Sequence, residues 1–377
     1  MPAADTPARG VRDADLVTAL LLLAGLAFLV AGGEAIVRGA SVLARAIGLS
    51  PLVVGLTVVS FATSAPELAV TVQASQAGSP GLAVGNVVGS NIANILLVIG
   101  VAGLIVPLTV RRPLVRRDIP VMIAMAVLFW TLSLGGGLSR LDGLAFVTVL
   151  LGYLTWVVLR SRQPRLAAGP ADPAGPGVPT SETGAQRGGR SLALALGLVV
   201  VGVTMLVLGA RWLVEAATTV ALTLGMSEMV VGLTIVAIGT SLPELATSVI
   251  AALRGNVEMA VGNAVGSCIF NIGAVMGLSA ILAPGGVPVE ASALRFDLPV
   301  MIAVAVALLP IAFTGFTIRR WEAGLFVAYY AAYVIYLLLN SAEHDALGPF
   351  SAVMLSFVVP LTGLTLVLLA AYEVRLR

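Results

Sequence analysis

Long apolar runs separated by short polar stretches dominate this chain, and within each run the apolar residues are continuous rather than alternating. A helix crosses the bilayer core with about 20 apolar residues, whereas strands of a membrane barrel alternate in polarity. The pattern therefore predicts an all-α integral membrane protein of eleven helices. Runs of spanning length fall at residues 15–35, 52–77, 81–106, 118–135, 142–160, 192–213, 228–253, 257–283, 295–315, 320–340 and 349–372.

A polar stretch rich in Pro, Gly and Ala, residues 161–191, separates the fifth run from the sixth. It has no apolar periodicity and cannot bury a core, so we interpret it as a flexible linker between residues 1–160 and 192–340. Residues 341–377 then add one further helix and a tail. A signal peptide would also begin with a polar segment, but no small-residue cleavage site ends the first run cleanly. We therefore interpret that run as the first membrane helix.

One stretch of the chain occurs twice. Residues Gly55–Gly100 and Gly232–Gly277 align without a gap at an offset of 177, with 25 of 46 positions identical. The polar matches pair Thr63, Ser64, Pro66, Glu67, Asn86, Ser90 and Asn94 with Thr240, Ser241, Pro243, Glu244, Asn263, Ser267 and Asn271. Each half contains five predicted helices, and an odd number of crossings places the second copy in the opposite orientation. The pattern predicts two inverted five-helix repeats with a site at their interface, plus one extra C-terminal helix.

Composition agrees with a membrane protein and excludes several functions. The chain is 59% hydrophobic and 11% charged, with a mean hydropathy of +1.04, where a soluble domain has about 25% charged residues. A net charge of +2 is too small to suggest a nucleic-acid partner. The single cysteine, Cys268, excludes an internal disulfide and is expected to serve packing.

The arginines predict the orientation in the membrane. Assigning loops alternately to two sides gives 4 arginines on the side of the N-terminus and 16 on the other, with Arg211 inside a helix. The positive-inside rule then places the N-terminus outside and both the linker and the C-terminus in the cytoplasm.

Two glutamates lie deep in the predicted helices. Glu67 is about 22 Å along its segment, and Glu244 is its equivalent in the second copy. A charge there costs at least about 2.5–3.5 kcal/mol, and Arg211, the only arginine in a membrane segment, cannot neutralise both. A cation is the simplest partner. The alternative, protonated carboxyls that hold helices together, does not explain the neighbouring hydroxyls and prolines.

Prolines sharpen the prediction of a cation site. Pro66 and Pro243 lack the N–H that a helix needs, so each helix is expected to break beside its glutamate and free carbonyls around residues 60–63 and 237–240. Hydroxyls lie three and four residues before each glutamate, around the same helical face. Carboxylates, carbonyls, hydroxyls and amides form an all-oxygen site that suits Ca²⁺ or Na⁺. The sequence has no His and Cys set for zinc or copper.

The following helix of each copy supplies further polar groups. Ser90 and Asn94 share a face at spacing i, i+4, as do Ser267 and Asn271, and we expect both of these asparagines to be ligands. Asn86 and Asn263 lie on another face, which favours interhelical hydrogen bonds. Glycines at G-x-x-x-G spacing are expected to allow close helix packing, and they are Gly85, Gly89, Gly262 and Gly266.

At these residues the sequence resembles the cation/calcium exchanger superfamily, whose members carry two such repeats. The signatures G-[ST]-[SA]-x-P-E and G-N-x-x-G-S-N-I-x-N correspond here to residues 62–67 and 85–94, and again to 239–244 and 262–271, with Ala62 at the first glycine and Cys268 at the middle asparagine. The resemblance implies Glu67 and Glu244 as central ligands together with the carbonyls of Thr63 and Thr240. It implies neighbouring sodium sites formed by Ser64, Ser241, Ser90, Ser267, Asn94 and Asn271, and outer positions formed by the carbonyls of Ser60 and Ala237.

Three features depart from the family pattern. Many members carry aspartate where this chain has Asn271, which disfavours potassium dependence and leaves the sodium stoichiometry open. The segment at 349–372 is an addition to the ten-helix body, and its role stays open. The linker lacks the large calcium-sensing domain of the animal exchangers.

The sequence therefore predicts a secondary antiporter of the inner (plasma) membrane that exchanges Na⁺ for Ca²⁺ by alternating access. It needs no bound cofactor, and without a P-loop it needs no ATP. A proton/calcium antiporter on the same scaffold is the main alternative, although the hydroxyl-rich T-S-x-P-E motifs favour sodium. An intramembrane hydrolase that uses the two glutamates is another alternative, but this sequence contains neither an HExxH motif nor a plausible nucleophile–base pair. A passive channel with the same residues is a further alternative, which trans-stimulation by the counter-ion would distinguish.

Overall fold

The computed structural model describes residues 7–161, 184–225, 237–342 and 344–376, and nearly all of them are helical. The helices of the first half are α1 (Pro7–Ile47), α2 (Pro51–Thr63), α3 (Ala65–Gln76), α4 (Pro80–Ile105), α5 (Ile119–Ser133) and α6 (Arg140–Ser161). Those that follow are α7 (Gly184–Thr223), α8 (Ala237–Gly239), α9 (Leu242–Leu253), α10 (Val257–Leu282), α11 (Ala293–Phe316), α12 (Arg320–Ser341), α13 (Leu347–Val353) and α14 (Val359–Leu376). The all-α membrane fold expected from the apolar runs is confirmed.

Among the described residues, eight helices are long and apolar enough to cross a membrane, or nine if the bent pair α2 and α3 is one span. Two of the eleven predicted spans do not add to this count. Helix α5 has only 15 residues, although a π-helical turn, Leu114–Asp118, precedes it. The predicted span at 228–253 begins in residues 226–236, which lie outside the described part of the chain. The total of eleven crossings therefore stays a prediction.

The first helix of each half is much longer than its apolar run predicts. Helix α1 extends over 41 residues and α7 over 40, whereas the runs cover residues 15–35 and 192–213. Residues 184–191, predicted to be part of the flexible linker, form the start of α7, so that boundary is wrong. The rest of the linker, residues 162–183, lies outside the described residues. The extension has a tertiary reason, because α1 and α7 pack against each other along their length.

Glycines allow α1 and α7 to pack closely in antiparallel orientation. A Cβ built on Gly25 would lie 2.9 Å from the Gly209 carbonyl oxygen, and one on Gly32 would lie 2.8 Å from that of Gly202. At the 177-residue offset, Gly25 corresponds to Gly202 and Gly32 to Gly209. The contact between Gly25 and Gly209 is therefore equivalent to the contact between Gly202 and Gly32. A two-fold axis relates contacts in this reciprocal way.

Two short antiparallel ladders join the halves at loops. Strand β1 (Leu108–Thr109), after α4, pairs with β4 (Thr317–Ile318), between α11 and α12. Strand β2 (Gly137–Leu138), between α5 and α6, pairs with β3 (Val287–Pro288), after α10. Strand β1 of the first half is equivalent to β3 of the second, and β2 is equivalent to β4. The β1–β4 pair is therefore equivalent to the β2–β3 pair, as in the reciprocal packing of the long helices.

The C-terminal helices α13 and α14 are joined by a π-helical turn, Met354–Val358, and they pack beside the body. The Tyr329 hydroxyl of α12 donates to Thr362 Oγ1 at 2.6 Å and contacts the Val358 carbonyl oxygen at 3.3 Å. The extra helix is thus attached to the body through α11 and α12, away from α3 and α9.

Candidate cation site

Both helices that carry a glutamate are broken at the predicted place. In the first half, α2 and α3 meet at 45°, and Ser64 between them has φ −80° and ψ 2°. In the second, Ser241 has φ −88° and ψ 1° between α8 and α9. Because residues 66 and 243 are prolines, the carbonyls of Ala62 and Gly239 have no helical N–H to accept. The prediction of a helix break beside each glutamate is confirmed.

The set of freed carbonyls is smaller than predicted. The Ser60 carbonyl accepts the N–H of Ser64 at 2.9 Å and the hydroxyl of Thr63 at 3.4 Å, so the expectation that it is freed is wrong. Pro66 removes the N–H that would donate to the Ala62 carbonyl. The N–H of Ser64, which donates to the Ser60 carbonyl, is still present. In the second half the N–H of Ser241 instead donates to Ile238, at 3.0 Å. Ala237, the first described residue of that segment, is not its acceptor.

Helix α2 crosses α10 over two glycines. A Cβ on Gly262 would lie 2.9 Å from the Leu52 carbonyl oxygen, and one on Gly266 would lie 2.8 Å from the Leu56 Cα. The predicted packing role is confirmed for these two. Gly85 and Gly89, their equivalents on α4, meet no described atom within 4 Å, and most of the segment equivalent to α2 falls in residues 226–236, outside the described part.

Glu67 and Glu244 lie inside the helix bundle with no solvent exposure. Both carboxylate oxygens of Glu67 and the Oε2 of Glu244 have no hydrogen-bond partner among the described residues. The two carboxylates are close enough to interact electrostatically, and like charges repel. Two buried carboxylates with unpartnered oxygens need a counter-charge, and none of the three ion pairs in the described structure involves them.

Hydroxyls of the first half reach the second half beside its glutamate. The Ser64 hydroxyl contacts Glu244 Oε1 at 3.5 Å, and the Thr63 hydroxyl contacts Asn263 Oδ1 at 3.3 Å and Ser267 Oγ at 3.5 Å. The sequence predicted that Thr63 and Ser64 lie around the helical face of their own glutamate, Glu67. The break at Ser64 ends that helical face, so these hydroxyls reach across the interface between the halves instead.

Asn86 and Asn263 form equivalent interhelical hydrogen bonds, as their position on a separate face predicted. Asn86 Nδ2 donates to Thr71 Oγ1 at 2.8 Å, and Asn263 Nδ2 donates to Ser248 Oγ at 3.0 Å. Each amide also contacts the backbone carbonyl of its own glutamate, at 3.4 Å for Glu67 and 3.5 Å for Glu244. These bonds attach each broken helix to the next helix of the same half.

The remaining predicted ligands on α4 and α10 are buried and largely unpartnered. Exposure is at most 3% for all four, namely Ser90, Asn94, Ser267 and Asn271. Ser90 Oγ, both polar side-chain atoms of Asn94 and Oδ1 of Asn271 have no partner among the described residues. A π-helical turn begins at each asparagine, over Asn94–Ile99 and Asn271–Met276. Such turns interrupt the regular helical ladder and are frequent at functional sites.

Four further residues that the sequence analysis singled out have different positions. Ser241 is 1% exposed and its hydroxyl has no partner among the described residues, whereas Thr240 is partly exposed. Arg211 is exposed on α7, so it does not neutralise the glutamates. Cys268 is buried, as a packing role predicts, and its thiol donates to the Asn91 carbonyl at 3.7 Å.

Sequence reasoning missed three polar residues beside the site. Thr71 and Ser248 are the acceptors of Asn86 and Asn263, and the 177-residue offset, which pairs a hydroxyl with a hydroxyl, was the available signal. Asn91 accepts a hydrogen bond from Asn271 at 3.2 Å. No repeat signal identifies Asn91, because its equivalent is Cys268.

The arrangement is suited to a hard cation. It combines two carboxylates with hydroxyl and amide oxygens, which are the ligand types that Ca²⁺ and Na⁺ accept. Within the described ranges, no three His, Cys, Asp or Glu side chains cluster as a transition-metal site would require. A cation between the glutamates would offset their repulsion and bind the oxygens that the protein leaves without partners.

Known proteins resemble this chain over most of its length. The family model described as sodium/calcium exchanger protein matches residues 17–159 and 194–339. The chain is 36% identical over 296 residues to the inner membrane protein YrbG of Escherichia coli, covering 78% of this chain and 89% of that protein. It is 35% identical over 346 residues to the sodium/calcium exchanger MaX1 of Methanosarcina acetivorans, covering 85% and 98%.

Solved structures of the sodium-calcium exchanger NCX_Mj resemble this fold. One, soaked with 10 mM Na⁺ and no Ca²⁺, superimposes with a TM-score of 0.71 at 30% sequence identity and covers 84% of this chain and 97% of that chain. Another, soaked with 10 mM Na⁺ and 10 mM Sr²⁺, gives a TM-score of 0.70 at the same identity.

Proposed function

The chain belongs to the sodium/calcium exchanger protein family, and we propose that it exchanges Na⁺ for Ca²⁺ across the membrane by alternating access. The observation that carries this proposal is the pair of fully buried glutamates, one from each half, whose oxygens mostly lack partners among the described residues. The family is one of transporters, and the chain is a multi-span membrane protein.

Charge balance supports competition between the two ions. The carboxylates of Glu67 and Glu244 together neutralise one Ca²⁺ or two Na⁺, so either load gives the same net charge at the site. If the site binds either one Ca²⁺ or two Na⁺, and the protein changes conformation only when the site is neutral, the fluxes of the two ions are coupled. An empty site would carry two repelling buried charges, which disfavours its passage through the closed state.

We assign ligand roles as follows. Glu67 and Glu244 bind Ca²⁺ directly, with the carbonyls of Thr63 and Thr240 as neighbours. Buried hydroxyls and amides then complete the sodium positions: Ser64, Ser90, Ser241, Ser267, Asn94 and Asn271. The Ser60 carbonyl is the weakest candidate, because two donors of its own chain already occupy it, and Ala237 stays its proposed counterpart.

The reciprocal packing of the halves suits alternating access. We infer two inverted five-helix repeats, supported by the glycine contacts between α1 and α7 and by the exchanged strand pairs. In transporters of this kind, one set of helices moves relative to the other around a fixed midplane site. We also propose an inner-membrane protein with its N-terminus outside and its C-terminus in the cytoplasm, which the arginine distribution supports. Opposite-side signals from reporters at residue 1 and after Thr183 would support this, and same-side signals would contradict it.

The identity of the coupling ion distinguishes a sodium/calcium exchanger from a proton/calcium antiporter. The protein is reconstituted into liposomes, and Ca²⁺ uptake is measured with an imposed Na⁺, K⁺ or H⁺ gradient and the membrane potential clamped. We expect uptake to follow the outward Na⁺ gradient and to be unaffected by K⁺ exchanged for an inert cation. Uptake that follows only the pH gradient would favour proton coupling. Uptake that needs no counter-ion on the opposite side would identify a channel.

A further inference from the structure

A short chain of buried polar side chains runs beside the cation site. Asn91 of α4 is 2% exposed, and its Oδ1 accepts a hydrogen bond from Asn271 Nδ2 at 3.2 Å. Its own Nδ2 donates to the sulfur of Met301 on α11 at 3.4 Å. Both ends of the Asn91 amide therefore contact protein groups.

The bond from Asn271 to Asn91 determines which end of the Asn271 amide is available. With Nδ2 directed to Asn91, the buried Oδ1 of Asn271 is left without a partner among the described residues. If the amide were reversed, its oxygen would face the Asn91 oxygen, and two acceptors would meet. Only the oxygen end of an amide can bind a cation, since the NH₂ end is a donor.

The Met301 sulfur favours one orientation of the Asn91 amide. The thioether sulfur is a weak acceptor and has no proton to donate, so it favours the NH₂ end of Asn91. This leaves the Asn91 oxygen directed to Asn271. All three side chains are buried, with exposures of 2%, 0% and 1% for Asn91, Asn271 and Met301, so water does not compete for these bonds.

The other half lacks this arrangement. The 177-residue offset makes Cys268 the equivalent of Asn91, and the Cys268 thiol donates to the Asn91 backbone carbonyl at 3.7 Å. Asn94, the equivalent of Asn271, has no hydrogen-bond partner for either end of its amide in the described structure. Among the described residues, a side-chain hydrogen bond thus orients Asn271 and none orients Asn94.

We propose that Asn91 is a positioning residue that directs the Asn271 amide oxygen towards the transported cation, so that one half of the site is oriented before the ion arrives. This inference rests on the proposed function, since it assigns Asn271 to the cation site. Orientation in advance strengthens binding because the ligand does not have to be ordered when the ion binds.

A double-mutant cycle tests this role. The variants are Asn91→Leu, which is similar in size and cannot accept a hydrogen bond, Asn271→Ala, and the two combined. The readouts are Ca²⁺ binding by titration calorimetry of purified protein and the concentration dependence of Na⁺-driven Ca²⁺ uptake. We expect Asn91→Leu to raise the half-saturating Ca²⁺ concentration about tenfold, as for loss of one buried hydrogen bond, with maximal uptake retained.

In the Asn271→Ala background, Asn91→Leu should have no further effect, because no amide remains to be oriented. Cys268→Ala changes the equivalent position of the other half and serves as the matched control, with half-saturation expected within about twofold of wild type. If Asn91→Leu does not fold, Asn91→Ala takes its place in the same cycle.

Two results would overturn the positioning role alone: additive effects of the two substitutions, or unchanged calcium binding in Asn91→Leu. Both leave the proposed function intact, provided that the wild-type protein exchanges Na⁺ for Ca²⁺. A wild-type protein that binds no Ca²⁺ would overturn both proposals.

Discussion

In the first half of the site, Asn86 Nδ2 donates to Thr71 Oγ1 at 2.8 Å, and in the second, Asn263 Nδ2 donates to Ser248 Oγ at 3.0 Å. The bonds that attach each broken helix to its neighbour are thus nearly the same in both halves. The groups that face the cation differ. Glu67 has no hydrogen-bond partner for either oxygen among the described residues, whereas Glu244 is contacted by Ser64 at 3.5 Å.

This comparison separates the role of the scaffold from that of the ligands. Equivalent scaffold bonds keep the two halves alike, and an exchanger that opens alternately to two sides needs equivalent moving parts. In the proposed function the ion binds once, at the interface, and nothing requires its ligands to be symmetric. Asn91 and Cys268 are a further example of asymmetry beside the site. They occupy equivalent positions, but the Asn91 side chain accepts a hydrogen bond from Asn271 and the Cys268 thiol donates to a backbone carbonyl.

The largest expected effect tests whether both halves are needed for binding. Glu67→Gln and Glu244→Gln should each lower Na⁺-driven Ca²⁺ uptake more than about 100-fold, since removing one charge of a buried ionic group costs about 3–5 kcal/mol. Both variants should stay folded, because a neutral amide is easier to bury than a carboxylate. Uptake into liposomes and thermal melts in detergent measure the two effects. Wild-type uptake in either variant would remove that glutamate from the site.

The next effect tests the symmetry of the scaffold at the long helices. Gly32→Ala and Gly209→Ala change equivalent positions, and each places a methyl group 2.8 Å from a glycine carbonyl oxygen on the other helix, that of Gly202 or Gly25. Both should therefore destabilise the protein by about 1–3 kcal/mol. Gly197→Ala on the same helix α7 is the control, because its Cβ meets no described atom within 4 Å. Thermal melts compare the three. Unequal losses for Gly32 and Gly209 would contradict the two-fold relation.

The third measurement tests how far the scaffold bonds are equivalent. Asn263→Ala should cost about 2 kcal/mol and Asn86→Ala about 1 kcal/mol. The reason is that Asn263 is fully buried and its Oδ1 also accepts the Thr63 hydroxyl at 3.3 Å, whereas Asn86 is part-buried. Chemical denaturation or thermal melts measure both. Asn340→Ala, an exposed asparagine of α12, should change nothing, and equal losses at positions 86 and 263 would show that the contact with Thr63 contributes no stability.

The smallest effect concerns the asymmetric amides. In Asn271→Asp, a protonated carboxyl can still donate to the Asn91 oxygen, whereas an ionised carboxyl repels it and adds a third negative charge to the site. Ionisation should tighten Ca²⁺ binding and slow its release, so maximal turnover should fall severalfold as pH rises. Na⁺-driven uptake against pH, for wild type and variant, measures this. A variant that matches wild type at every pH would place Asn271 outside the site.

Asn94→Asp sharpens the same comparison. Asn94 has no described hydrogen-bond partner, so a carboxyl there breaks no existing bond, and its pH dependence reports the added charge alone. The difference between the two aspartate variants then measures what Asn91 contributes. Identical profiles would indicate that Asn91 does not influence the amide at position 271.

The sequence identified most of this site because its evidence is local. The duplicated T-S-x-P-E motif indicates a buried carboxylate, and the proline breaks a helix wherever its missing N–H is needed. The spacing of Ser90 and Asn94 places both on one face of any helix. These inferences depend on residues within one or two turns of each other, so they survive whatever the chain packs against.

Tertiary structure decided which groups meet across the interface. Ser64 contacts Glu244, Asn271 contacts Asn91, and each pair is separated by 180 residues. The length of α1 and α7 likewise depends on their mutual packing rather than on their apolar runs. Hydropathy and helical spacing describe one segment at a time. The orientation of an amide or a hydroxyl depends on the partner that folding brings beside it.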